Sequence, residues 1–120
     1  MNQSNIIQLT NNETNLFIEL DNYFKENQWM ELISKINQGE SPITLRLLDI
    51  QVQNHENYKS ALGTYSKKYF DPFRRSCKFD YEYSNNKFIN TSIGQLNFFR
   101  YAIESNFLQK IMNENNIIVQ

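Results

Sequence analysis

The sequence predicts a mainly helical α+β fold with one β-hairpin, in an element order that allows a winged-helix-like arrangement. Three observations predict it. Apolar residues recur at three- and four-residue spacing in five separate stretches, the pattern of helices that bury one face. Only the stretch from Cys77 to Tyr83 alternates apolar with polar residues, and a turn-like Ser84-Asn85-Asn86 follows it, as in a strand entering a hairpin. Stop and start signals, namely Gly39, Ser41-Pro42 and Pro72, separate the helical stretches.

The elements follow in order. Residues 1–10 show scattered Ile and Leu without a period and are expected to be a flexible N-terminus. Thr10 and Glu13 have capping-box spacing, and a helix is expected over 12–26 with Leu16, Leu20 and Phe24 on one stripe. A short helix over 28–37 carries Trp29, Leu32, Ile33 and Ile36, and Gly39 stops it. Ser41-Pro42 is a start signal, because a serine caps and a proline at the first helical position loses no hydrogen bond. The helix expected over 42–53 presents Ile43, Leu45, Leu47, Leu48 and Val52. A turn follows, then a helix over 57–70 with Tyr58, Leu62, Tyr65 and Tyr69 inward. It must end by Asp71, since the residue before Pro72 is pushed out of the helical region.

The hairpin is expected over 77–92, with Cys77, Phe79, Tyr81 and Tyr83 on one face and Lys78, Asp80 and Glu82 on the other. Ser92 and Gln95 again have capping-box spacing, so a long helix is expected over 93–113, with Leu96, Phe99, Ile103, Phe107 and Ile111 inward. The single domain spans 11–116, and 117–120 is a tail. Its expected core is Leu20, Phe24, Leu45, Leu48, Leu62, Tyr65, Leu96, Phe99 and Ile103. The last helix has more apolar surface than one small core needs: Phe98, Tyr101, Phe107, Leu108 and the tail Ile117-Ile118-Val119 remain. Self-association or another protein partner is the expectation for that surplus.

Length and composition narrow the function. A chain of 120 residues supports one core, since chains split into domains only beyond about 250 residues. One Cys and one His cannot supply a four-ligand zinc site or an intrachain disulfide. The three glycines form no phosphate-binding loop and no dinucleotide fingerprint. No apolar run approaches the roughly 20 residues of a membrane span, and the first residues lack the basic start and apolar core of a signal peptide. The expectation is therefore no cofactor, no metal and no membrane.

Catalytic residues are not expected. His55 lies among Asn54, Glu56 and Asn57 and reads as a solvated turn residue; Cys77, near Arg75 and Lys78, reads as a small strand hydrophobe. Asp80 and Glu82 face outward without a base or ligand partner. Charge placement is more informative than the net charge of -1. Residues 1–56 carry 8 acidic and 3 basic side chains, and residues 57–100 carry 8 basic and 3 acidic. Within the basic part, Lys59, Lys67, Lys68, Arg74 and Arg75 are interleaved with Tyr65, Tyr69, Phe70 and Phe73. Cations neutralise phosphates and aromatic rings stack bases, so these five cations are the candidate nucleic-acid contacts. Tyr69, Phe70 and Phe73 are the candidates for stacking or partner contact. The competing reading is a solvated basic face or a protein-docking patch.

Three stretches carry a family resemblance: Ser41-Pro42-Ile43-Thr44-Leu45-Arg46-Leu47-Leu48-Asp49; Tyr65-Ser66-Lys67-Lys68-Tyr69-Phe70-Asp71-Pro72-Phe73-Arg74-Arg75; and Thr91-Ser92-Ile93-Gly94-Gln95-Leu96-Asn97-Phe98-Phe99-Arg100-Tyr101-Ala102-Ile103. Over about residues 41–110 the chain resembles a small uncharacterised protein family of nucleocytoplasmic large DNA viruses. It departs from that pattern at 50–55, where Ile-Gln-Val-Gln-Asn-His stands in place of an aromatic-rich segment. The resemblance implies a giant-virus origin, consistent with an Asn content of about 15%, and supplies no catalytic residue. The expectation is a noncatalytic binding protein of the viral factory in the host cytoplasm or of the virion. Its partner would be DNA or RNA in replication or transcription. The alternative is a structural or assembly protein that contacts a second copy or another viral protein.

Overall fold

A computed structural model describes residues 11–26, 29–54, 69–73 and 77–114. Among these residues there are five helices and one two-stranded antiparallel sheet. In chain order they are α1 (Asn11–Lys25), α2 (Met30–Gln38), α3 (Leu45–Gln53), β1 (Phe79–Ser84), β2 (Lys87–Thr91), α4 (Ile93–Glu104) and α5 (Phe107–Glu114). The mainly helical fold with one hairpin is therefore as the sequence predicts. The expected helix 57–70, on which a winged-helix-like arrangement depends, lies outside the described residues except for its last two.

The centre is α4. Every residue from Thr91 to Arg100 is buried, so the helix is enclosed on all sides over its first two turns. It packs against α1 and continues into α5, which α3 covers; α1 also lies on β1 and α2 on β2. The α1 stripe buries Leu20 and Phe24, and α2 buries Met30, Ile33 and Ile36. Gly39, at φ 76°, ends α2 in a Schellman motif. Its N–H donates to the Ile36 carbonyl (3.2 Å) and the Glu40 N–H to the Lys35 carbonyl (2.8 Å), a left-handed position that suits glycine.

Four boundaries and orientations differ from the sequence expectation. The Ser41-Pro42 signal does not open α3. The Ser41 hydroxyl accepts from the Ile43 N–H (3.1 Å) to make a local turn, and Thr44 caps the helix by accepting from Leu47 N–H at 3.0 Å. A hydroxyl placed two residues before a free N–H competes with helix formation, and here it wins. The expected helix 93–113 is two helices. Asn106 takes φ 65°, and the Ser105 hydroxyl donates to the Tyr101 carbonyl at 2.6 Å. Asparagine tolerates this left-handed conformation, which breaks the helix and turns α5 back onto α3. Cys77 is not in the strand. It is exposed, with φ 59°, and β1 begins at Phe79.

The fourth difference concerns the core. Phe98 and Leu108, counted as surplus, are both 0% exposed, while Leu45 and Ile103, counted as core, are only partly buried. The break at Asn106 rotates the apolar stripe of α5 relative to α4, so Leu108, Ile111 and Met112 are buried. Of the surplus that suggested self-association, Phe98 and Leu108 are covered by the chain itself and Tyr101 and Phe107 are half-buried, while the tail 117–119 lies outside the described residues. Leu62 and Tyr65 lie outside the described residues.

The hairpin pairs Phe79 with Thr91 and Tyr81 with Ile89 on its inner face, and Asp80 with Asn90 and Glu82 with Phe88 on its outer face. The register shifts between Glu82 and Ser84. Tyr83 is the extra residue there, and Asn86 at φ 59° makes the turn itself, where a left-handed asparagine is favoured. Inside, the Phe17 ring sits edge-on to Phe79 (5.6 Å) and Tyr81 (5.9 Å).

The Tyr81 hydroxyl donates to Asp21 Oδ1 at 2.7 Å. Burial, followed by the Asp21 hydrogen bond and charge, pushes the phenol far above its ordinary pKa. A phenol whose folded-state pKa is raised holds its proton more tightly when folded. Its contribution to stability is therefore intact below pH about 10 and falls as pH climbs above that value. Tyr81→Phe is expected to remove part of the alkaline loss of stability seen in wild type. Denaturant melts at pH about 8 and about 11 measure the difference, and an identical pH dependence for the two proteins would contradict the assignment.

Candidate functional site

The described residues hold no group of three or more His, Cys, Asp or Glu side chains able to bind a metal, and none of their helices is long and apolar enough to cross a membrane. His55, Lys59, Lys67, Lys68, Arg74 and Arg75 lie outside the described residues. What the structure places is the segment between the two pairs of cations, Tyr69 to Phe73.

Its shape starts from Asp71-Pro72. The Asp71 carboxylate accepts from the Phe73 N–H at 3.0 Å, an Asx-type turn that aspartate makes readily. Three hydrogen bonds from the segment to α4 then fix the turn. The Asp71 N–H donates to the Gly94 carbonyl (3.2 Å), the Gln95 amide to the Pro72 carbonyl (2.9 Å) and the Asn97 amide to the Tyr69 carbonyl (2.9 Å). Because α4 grips backbone groups on both sides of the turn, the alternation of side chains is set. Phe70 points inward, 1% exposed, against Tyr101 (5.5 Å) and Phe98 (6.0 Å). Pro72 is buried and Tyr69 half-buried. Phe73 points outward, 48% exposed.

This sorts the aromatic candidates. Phe70 is a core ring enclosed by α4, and its expected role in stacking or partner contact is corrected on that ground. Phe73 is the ring a partner can reach.

Two polar relays back the grip. Gln95 Oε1 accepts from the Thr91 hydroxyl (2.6 Å) and from the Asn37 amide (2.8 Å), which ties the turn to β2 and α2. Asn97 Oδ1 accepts from Arg100 (2.9 Å), and Arg100 donates to Glu19 at 2.6 Å, which ties the turn to α1. The Arg100 side chain is 9% exposed and Glu19 62%, so one end of the pair is solvated and the buried end is the guanidinium. Sequence reasoning missed Gln95 and Asn97 in this role. The Ser92–Gln95 spacing did announce a cap, and Ser92 does accept from the Gln95 N–H at 3.1 Å. The Gln95 side chain, however, leaves the cap to hold the turn. The only sequence signal was three amide and guanidinium side chains, Gln95, Asn97 and Arg100, within an otherwise apolar helix.

The electrostatics divide along the same line. The described residues hold twelve carboxylates and seven cationic side chains, a net of -5. The remaining five cations, with Glu56 alone against them, belong to segments 55–68 and 74–76 on either side of the turn, a net of +4. The outer hairpin face is acidic. Asp80 accepts from Asn90 (3.1 Å) and Glu82 from the Asn86 N–H (3.0 Å).

Residues 50–120 match the family model described as a family of unknown function, DUF7197. The chain belongs to that family. The matched part contains the turn, the hairpin, α4 and α5, whereas Glu19 and Asn37, which anchor the two relays, lie outside it. The chain is also similar to the uncharacterized protein L507 of Acanthamoeba polyphaga mimivirus, 36% identical over an alignment of 104 positions that covers 64% of this chain and 40% of that protein. The chain thus spans less than half the length of that relative. Both findings support an uncharacterised giant-virus protein family. No solved structure matches the chain.

Proposed function

We propose that this chain is a noncatalytic nucleic-acid-binding protein of a large DNA virus, working in viral replication or transcription in the host cytoplasm or carried in the virion. One observation carries the reading. The rigidly held turn 69–73 directs an exposed aromatic ring outward between Lys67-Lys68 and Arg74-Arg75 in the chain. Cations bring phosphates and release counterions, and an exposed ring offers a face to a base. The described residues carry a net charge of -5 and segments 55–68 and 74–76 a net of +4, so the chain's excess of cations lies beside the turn in sequence.

The test is salt-dependent binding. Wild type is expected to bind labelled DNA or RNA at about 50 mM salt and to weaken steeply as salt rises, with a log–log slope of roughly -3 to -4 if four phosphates are neutralised. Lys67→Glu with Lys68→Glu is expected to abolish the salt-sensitive binding. Equal binding by the variant, or none by wild type at low salt, would overturn the proposal.

A second reading, a structural or assembly role, draws support from Ile18, Ile50 and Phe88, each 45–51% exposed. Sedimentation over about 1–100 μM separates the two. Association that Ile50→Ser or Phe88→Ser removes, without any nucleic-acid binding, favours assembly.

A further inference from the structure

Resting on the nucleic-acid reading above, we infer that the ligand is single-stranded, and that Phe73 is the platform on which one unpaired base stacks, with Gln95 and Asn97 as its positioning residues. Three observations lead there. The first is selection among rings. Of the three aromatic residues in the turn, Phe70 is enclosed and Tyr69 half-buried, and only Phe73 presents a ring to solvent. A base inside a duplex has both faces occupied by its neighbours, whereas an unpaired base has a free face to give to a protein ring.

The second is rigidity. A stacking platform is useful when its ring is already held in place, because ordering it on binding would cost entropy. Here the Phe73 N–H is tied to Asp71, and the carbonyls of Tyr69 and Pro72 are tied to buried amides of the central helix. A half-exposed Phe on a loose loop would be ordinary surface. This one extends from backbone pinned on both sides of the turn.

The third is the shape of the charge. Gln95 bonds both Pro72 in the turn and Thr91 in the hairpin, so the turn lies beside the Phe79–Thr91 end of the sheet. Exposed Lys78 precedes that end, and one residue pair further along the outer face carries Asp80 and then Glu82. A duplex is broad and would press the phosphates of its second strand toward that acidic face. A single strand stacked on Phe73 is narrow enough to avoid that face.

The experiment uses the full chain and three fluorescent probes: a twelve-residue oligodeoxythymidine, the same oligomer paired with oligodeoxyadenosine, and the oligouridine equivalent. Anisotropy at low salt is expected to show wild type binding the single strands at least about tenfold tighter than the duplex. A stacked base contributes roughly 1–3 kcal/mol, so Phe73→Ala should weaken single-strand binding by about 5- to 150-fold. It should leave duplex binding and the salt slope unchanged, because no phosphate contact is removed. Phe73→Trp should restore binding. The deoxythymidine and uridine arms show whether the platform discriminates DNA from RNA, and stacking alone predicts similar affinities. Since Phe73 is exposed, these variants should keep the wild-type melting temperature. Unchanged single-strand affinity in Phe73→Ala, or a duplex bound as tightly as its single strand, would overturn this inference while Lys67→Glu with Lys68→Glu still tests the broader reading. Absence of binding to every probe would overturn both.

Discussion

Replacing Gln95 by leucine is expected to cost about 3 kcal/mol of stability, although leucine is similar in length and more apolar. The cost comes from the partners left behind. Gln95 is 5% exposed and serves three groups at once: the Pro72 carbonyl, the Thr91 hydroxyl and the Asn37 amide. Each buried group that loses its only partner costs roughly 1–3 kcal/mol. Pro72 and Thr91 are buried and bear most of this, the Thr91 hydroxyl keeping only a long bond to the Ser92 carbonyl at 3.5 Å. Asn37 is half-buried and also reaches the Asn90 carbonyl at 3.3 Å, so its share is small. For a chain of this size, a loss near 3 kcal/mol lowers the melting temperature by roughly 10 °C.

A second substitution checks the mechanism. Thr91→Val removes the hydroxyl left with only that long bond, so the double variant should regain about 1 kcal/mol relative to Gln95→Leu, because deleting both partners of a buried hydrogen bond is cheaper than deleting one. Urea melts of the four proteins measure this directly. A Gln95→Leu loss below 1 kcal/mol, or no recovery in the double variant, would mean that the amide is not the hub the structure describes. If the turn positions a binding ring, the same variant should also loosen the Phe73 N–H. Faster hydrogen exchange at Phe73 in the variant than in wild type, with the buried start of α4 unchanged, would report that.

The helices and the hairpin were legible because their signals are local. Leu20 and Phe24 lie one helical turn apart and are both buried; Phe79 and Tyr81 lie two apart on the buried face of a strand. Gly39 can take a left-handed conformation without strain, and it stops α2. What was not legible depends on distant partners. Thr44 rather than Ser41 caps α3, since two hydroxyls three residues apart look alike until the backbone chooses between them. Asn106 breaks the last helix because α5 must turn to meet α3, a requirement that lies some fifty residues away in the chain. The basic and aromatic cluster was visible in the sequence as a cluster. That Phe70 goes in and Phe73 goes out was not visible, because the choice is made by Gln95 and Asn97, more than twenty residues further on.

Phe98 shows the same point with a large energetic consequence. On a helical wheel it falls off the stripe made by Leu96, Phe99 and Ile103, and a one-faced helix would leave it near solvent. In the fold α4 has no solvent face over its first two turns, and Phe98 is 0% exposed, 6.0 Å from both the Phe70 and Phe99 rings. Phe98→Ala is therefore expected to cost about 3–5 kcal/mol, the range for emptying a buried aromatic site that can only partly collapse. Phe99→Ala should cost a similar amount, while Phe88→Ala, at an exposed outer-strand position, should stay within about 0.5 kcal/mol. The loss at Phe98 should also reach the turn. Phe70 packs on Phe98 and Tyr101, so a cavity at 98 removes one of the ring contacts that keep Phe70 inward. The two amide bonds to Tyr69 and Pro72 would then hold the turn without its apolar anchor. Phe98→Leu, which refills most of the volume, should recover the larger part of the stability. Chemical denaturation of Phe98→Ala, Phe98→Leu and Phe99→Ala decides the matter: a Phe98→Ala loss no greater than that of Phe88→Ala would show that this face of α4 is open to solvent after all.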